Sequence, residues 1–78
     1  MSDTRRLERL GDVIKTARGA KGLKLRHISL ALGIPLRTIH AWEQGENHIP
    51  ALRLVELADF LAIDLGRLAR RRGLHRAT

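Results

Sequence analysis

The stretch LRHISLALGIPLRTIHAWEQ, residues 25–44, constrains the fold of this 78-residue chain more than any other. Two short runs with apolar residues at helical spacing flank a single break at Gly33, Ile34 and Pro35. Leu25, Ile28 and Leu32 share one helical stripe. Ile39, Trp42 and the aliphatic part of Glu43 share another. Gly33 accepts the positive φ that a tight stop requires. Proline has no N–H to leave unpaired in a first turn, so the second helix starts at Pro35 or Leu36. Two helices joined this closely must cross steeply. Ser29 is small enough for their approach, which makes it a packing residue rather than a nucleophile. Ile28, Leu32, Ile34, Ile39 and Trp42 then form the shared apolar wedge.

The remaining segments read as support for this pair. Leu7, Leu10, Ile14 and Ala17 recur on one face, predicting helix 1 from about Thr4 to Lys21. Gly22 suits its C-cap, with Leu23 packing back. Helix 2 runs from about Lys24 to Leu32. Helix 3 ends at Gly45, and Glu46-Asn47-His48 form a polar loop. Helix 4 opens at Pro50 and reaches about Leu61, burying Leu54, Leu57, Ala58 and Leu61. Asp64 is placed to cap helix 5, from Leu65 to about Arg71. The expectation is an all-α, compact five-helix domain over residues 1–72, with 73–78 a frayed basic tail. A single Trp and a single Phe leave the core aliphatic.

Charge narrows the partners. The chain carries +7, unevenly distributed. Residues 1–38 hold nine Lys/Arg against three acids, residues 39–66 one Arg against five acids, and residues 67–78 five Arg and no acid. A polyanion is drawn to the front half and the tail and repelled by the middle. A merely soluble basic protein is the alternative reading. There is no cysteine, hence no disulfide and no thiolate metal site. His27, His40, His48 and His75 lack metal-ligand spacing, and no phosphate-cradling glycine loop or paired-carboxylate cleft is present. No enzyme activity, cofactor or metal is expected. No apolar run approaches the ~18 residues of a membrane span, and the N-terminus lacks the apolar core of a signal peptide, so a cytoplasmic location is expected.

The pattern from Leu10 to Leu68, with Arg18…Gly22-Leu23, the Gly33 turn, Trp42-Glu43-x-Gly45 and Leu57-Ala58, resembles the Cro/cI-type (XRE-like) helix-turn-helix family of phage and bacterial regulators. That resemblance implies a lambda-repressor-like DNA-binding domain with its helix-turn-helix at about 25–44. It also implies an ion pair between Arg18 of helix 1 and Glu43 of helix 3. The positions matching Leu36, Arg37 and Ala41 look into the major groove in that family. Backbone contacts fall at Lys24, Gln44 and the 46–48 loop.

The outward residues of helix 3 are Leu36, Arg37, His40, Ala41 and Gln44. Arg37 can fork onto guanine O6 and N7, or bind only phosphate. His40 donates to a base or a phosphate, or is a solvated surface histidine. Ala41 fits a thymine methyl. Phosphate candidates are Lys24, Arg26, Gln44, Asn47 and His48. Leucine stands at Leu25, Leu30 and Leu36, where the family more often carries polar residues at the first and last. Leu36 can pack on a thymine methyl with Leu25 behind it. Alternatively, the three leucines form an apolar patch for docking another protein. The usual Ser or Thr cap before helix 2 is replaced by Lys24.

One domain of this kind covers few base pairs, so specific binding calls for a homodimer on a two-fold site. Ile63, Leu65, Leu68 and Leu74 are the dimer candidates, or else they close the core over helix 1. The expected function is a sequence-specific, double-stranded-DNA-binding transcriptional regulator near the nucleoid. Repression by a dimer with residues 36–44 in the groove needs the least apparatus, and no small-molecule effector is expected.

Overall fold

The computed structural model describes residues 3–67, with side chains from residue 4 onward. Four helices follow in order: α1 Asp3–Ala20, α2 Leu25–Leu32, α3 Leu36–Glu43 and α4 Ala51–Leu61. Residues 65–67 begin a fifth helix, and Asp64 Oδ1 accepts the Arg67 N–H at 2.9 Å in the manner of an N-cap. There is no strand among the described residues. The all-α architecture expected from the helical periodicity is the one observed.

The starts of two helices shift by a residue from the expected bounds, while helix 3 starts at Leu36, one of its two expected positions. Lys24, Pro35 and Pro50 are N-caps, not first helical residues; each has ψ between 137° and 160°. The Pro35 carbonyl accepts from the Thr38 and Ile39 N–H groups, and the Pro50 carbonyl from Leu54 N–H. A proline whose ring already fixes φ can therefore turn the chain from extended to helical one step earlier than the first-turn rule places it.

The helix ends share one chemistry. At the end of α1, Leu23 N–H reaches back to the Arg18 carbonyl and Gly22 N–H to that of Gly19. At the end of α3, Glu46 N–H bonds to Ala41 O and Gly45 N–H to Trp42 O. The same back-bonding ends α4, from Ile63 N–H to Ala58 O at 2.8 Å. In each case carbonyls left over by the helix are satisfied by the residues that leave it. The apolar residue just beyond the cap then drops onto the core at Leu23, Ile34 and Ile63. At α4, however, the left-handed position is held by Ala62, at φ 59°.

Ile14, Ile28, Ile34, Ile39, Trp42, Leu57 and Leu61 form the core, with Leu10, Ala17, Leu23, Leu25, Leu32, Ile49, Phe60 and Ile63 packed around it. Each of α1 to α4 contributes, so the small domain has one centre. Leu54 is half-buried, a margin residue and not the core residue its stripe predicts. Leu25 is also half-buried against the core. This corrects its place in the expected apolar docking patch: the side chain is already committed to its own domain. The two remaining leucines of that patch are exposed, Leu30 at 82% and Leu36 at 46%.

Candidate nucleic-acid interface

α2 and α3 meet across the three-residue turn 33–35, with Gly33 at φ 67° and ψ 34°. Gly33 and Ile34 both donate their N–H to the Ser29 carbonyl, at 2.9 and 3.2 Å. Ser29 returns a bond of its own: its Oγ donates to the Ile34 carbonyl at 2.6 Å. Its hydroxyl closes the turn, a bond that the sequence alone does not reveal. The α2–α3 angle is thus fixed by hydrogen bonds at the hinge as well as by the apolar wedge.

The back of α3 is held by α1. Arg18 Nε lies 2.7 Å from Glu43 Oε2 and Arg18 Nη2 lies 3.0 Å from Oε1, a two-pronged pair that joins the two helices. Arg18 Nη1 also donates to the Leu23 carbonyl at 3.0 Å. The Glu43 side chain is almost wholly buried, and Arg18 largely so. Hydrogen bonding to Glu43 raises the Arg18 pKa; burial opposes this and the carboxylate's charge adds to it. Two glycines make the rest of this contact. A Cβ on Gly11 would stand 2.5 Å from the Glu43 carbonyl oxygen and 2.6 Å from that of Trp42. A Cβ on Gly45 would stand 2.8 Å from Glu8 Cα. The end of α3 therefore rests backbone-on-backbone against α1. Sequence reading passed over Gly11, which sits unremarkably inside a helical pattern.

With Ile39, Trp42 and Glu43 turned inward, α3 presents Leu36, Arg37 and His40 to solvent and Ala41 half-buried, with Gln44 exposed at its C-cap. Lys24 and Arg26 are exposed at the start of α2. Asn47 and His48 are exposed in the loop after α3, beside Glu46. The absent Ser/Thr cap of α2 has a substitute, since Lys24 N–H donates to His27 Nδ1 at 2.9 Å. That is the returning half of a capping box, with imidazole in place of the usual carboxylate or amide. The proton of a neutral His27 then sits on Nε2, facing water. This role was hidden because the rule that finds such boxes looks for Glu or Gln three residues in.

Of the dimer candidates, Ile63 and Leu65 are half-buried, and Ile63 packs on the core. Leu68 and Leu74 lie outside the described residues, as does the tail beyond Arg67. Among the described residues there is no group of His, Cys, Asp and Glu that could hold a metal ion. No described helix is long and apolar enough to cross a membrane.

A helix-turn-helix family model matches residues 14–68, more than half of the chain and the whole of the described hinge, wedge and ion pair. The chain belongs to the XRE-like helix-turn-helix family. Comparison with curated proteins and with solved structures gave no match. An XRE-like domain is a DNA-binding regulator domain and not one of an enzyme family. The matched span begins inside α1, at Ile14. The Gly11–Glu43 and Glu8–Gly45 contacts are therefore made by turns of α1 that precede the matched region.

Proposed function

We propose that this XRE-like protein reads double-stranded DNA with α3 in the major groove and represses transcription by occupying its operator as a homodimer. One observation carries the reading: the turned-in face of α3 is pinned through Glu43, while Arg37 stands exposed on the opposite side together with Leu36 and His40. In this orientation Arg37 meets guanine O6 and N7, Leu36 and Ala41 meet thymine methyls, and His40 meets a base edge. Lys24, Arg26, Gln44, Asn47 and His48 bind flanking phosphates and set the register. Only one of these outward residues is a strong hydrogen-bonding reader. Specificity therefore leans on apolar contact and on the deformability of the site more than on a dense hydrogen-bond code. A dimer doubles the reading frame, with half-sites about one helical turn apart.

Selection from random duplexes followed by sequencing tests this reading directly. The expected result is a pseudo-palindromic site with a guanine at one fixed position in each half. Arg37→Ala should erase the preference at that position while leaving helicity unchanged. An equal loss of affinity on every duplex would assign Arg37 to phosphate.

The exposure of Leu30 and Leu36 favours a second reading, in which the same fold docks another protein. The two separate by salt. A DNA reader making several phosphate contacts loses orders of magnitude in affinity between about 50 and 200 mM salt. If binding to mixed duplex DNA is absent even at low salt, the protein-docking reading replaces the first.

A further inference from the structure

The outer face of α4 has the wrong composition for a solvated helix. Ala51, Leu52, Val55, Asp59 and Ala62 are all exposed there, and only one of them is charged. Leu52 is 69% and Val55 56% exposed. The face lies within the acidic middle of the chain, so it is not a surface for phosphates. The N-terminus of α4 is also unfinished. Pro50 offers no side-chain cap, and the first turn has no acidic residue to meet the positive end of the helix dipole.

We propose that this face binds the same face of a second copy, with two α4 helices packed antiparallel about a two-fold axis at Val55. Antiparallel pairing centred on residue 55 sets residue 59 of one copy opposite residue 51 of the other. Each Asp59 carboxylate then lies at the uncapped α4 N-terminus of the partner, supplying the negative charge that end lacks. Val55 meets Val55 on the axis, and each Leu52 lies opposite residue 58 of the partner helix, its side chain beside that helix's Asp59 stem. The patch is self-complementary in shape and in charge, as an isologous contact must be. It is also small. Two aliphatic side chains and two alanines per copy fall well short of the ~1,200 Å² of a stable interface. The pairing is therefore weak in free solution and is completed on DNA, where a two-fold operator holds both copies close. This inference rests on the dimeric part of the proposed function, and it assigns the contact to α4 in preference to Ile63, Leu65, Leu68 and Leu74.

The chain has no cysteine, so a single introduced thiol reports on the axis cleanly. Val55→Cys, under a glutathione redox buffer, should give a disulfide-linked dimer much faster than Leu30→Cys, which is more exposed but lies off the axis. Linking that occurs only when duplex DNA is added supports the inference equally. Asp59→Lys should weaken the non-covalent dimer about tenfold, because two carboxylate–dipole contacts are lost together. The inference is overturned if Val55→Cys links no faster than Leu30→Cys with and without DNA. It is equally overturned if Leu65→Cys is the variant that links. Cross-linking is read on the protein alone as well as on the complex. A wild-type chain that binds no DNA would therefore remove the regulator reading without deciding the α4 contact.

Discussion

A single carboxylate, Glu43, is the buried charge among the described residues. It is buried, and its compensation is the two-pronged contact with Arg18. Such pairs add little net stability against an apolar alternative, but removing one partner strands the other charge. Glu43→Ala should cost roughly 3–5 kcal/mol in urea unfolding, and it should also blunt DNA discrimination, because the pair orients α3. Arg18 itself does not contribute a pH switch. Its pKa is raised on folding, so its contribution is complete below the ordinary arginine value and is lost only as pH climbs beyond it. Lys24 poses a different trade. Lys24→Ser would give α2 an ordinary cap worth about 1 kcal/mol. The same change deletes a proposed phosphate contact and should flatten the log–log salt slope by about 0.9. Stability rising while the salt slope falls, measured on one variant, would support both assignments; an unchanged slope would remove Lys24 from the interface.

The four helices and their order were legible because each has its own stripe and its own stop. Gly22, Gly33 and Gly45 mark the ends of the first three, and each adopts positive φ. The fourth end is where a sequence rule fails informatively. Ala62 occupies a conformation that glycine holds at the other three, at a cost of about 1–2 kcal/mol for a residue with a Cβ. Ala62→Gly should therefore raise stability by up to about 1 kcal/mol, read as a higher Tm, after allowing for glycine's greater freedom when unfolded. What could not be read from local pattern is what one element does to another. Gly11 looks like a weak point in α1 until Glu43 and Trp42 are seen lying against it. Gly11→Ala should destabilise by more than about 2 kcal/mol, since the atoms it would strike are backbone. The ordinary effect of Gly→Ala inside a helix has the opposite sign, so a rise in Tm would mean the helices can slide apart at no cost.

At the scale of the molecule, the sequence placed the hinge, the wedge and the outward face of α3, because amphipathic spacing reports which side a residue is on. It did not place the free apolar surface correctly. Leu25 reads as an exposed leucine yet packs on the core, while Leu52 and Val55 of α4, which local spacing does not single out, lie open to solvent. Spacing gives the angle of a residue around its own helix; whether another helix covers that angle is decided by tertiary packing. The charge gradient along the chain runs from a basic front half, which includes the start of α2, to an acidic middle, which includes α4. The glycine seat between α1 and α3 has one more consequence. Because the backbone seat on Gly11, the Arg18–Glu43 pair and the Ser29 hinge bonds set the tilt of α3, and none of them lies on its outer face, the outer residues are free to vary without disturbing the frame that carries them. Randomising positions 36, 37, 40, 41 and 44 together should yield mostly well-folded proteins with new operators, so this chain offers a chassis for building orthogonal genetic switches.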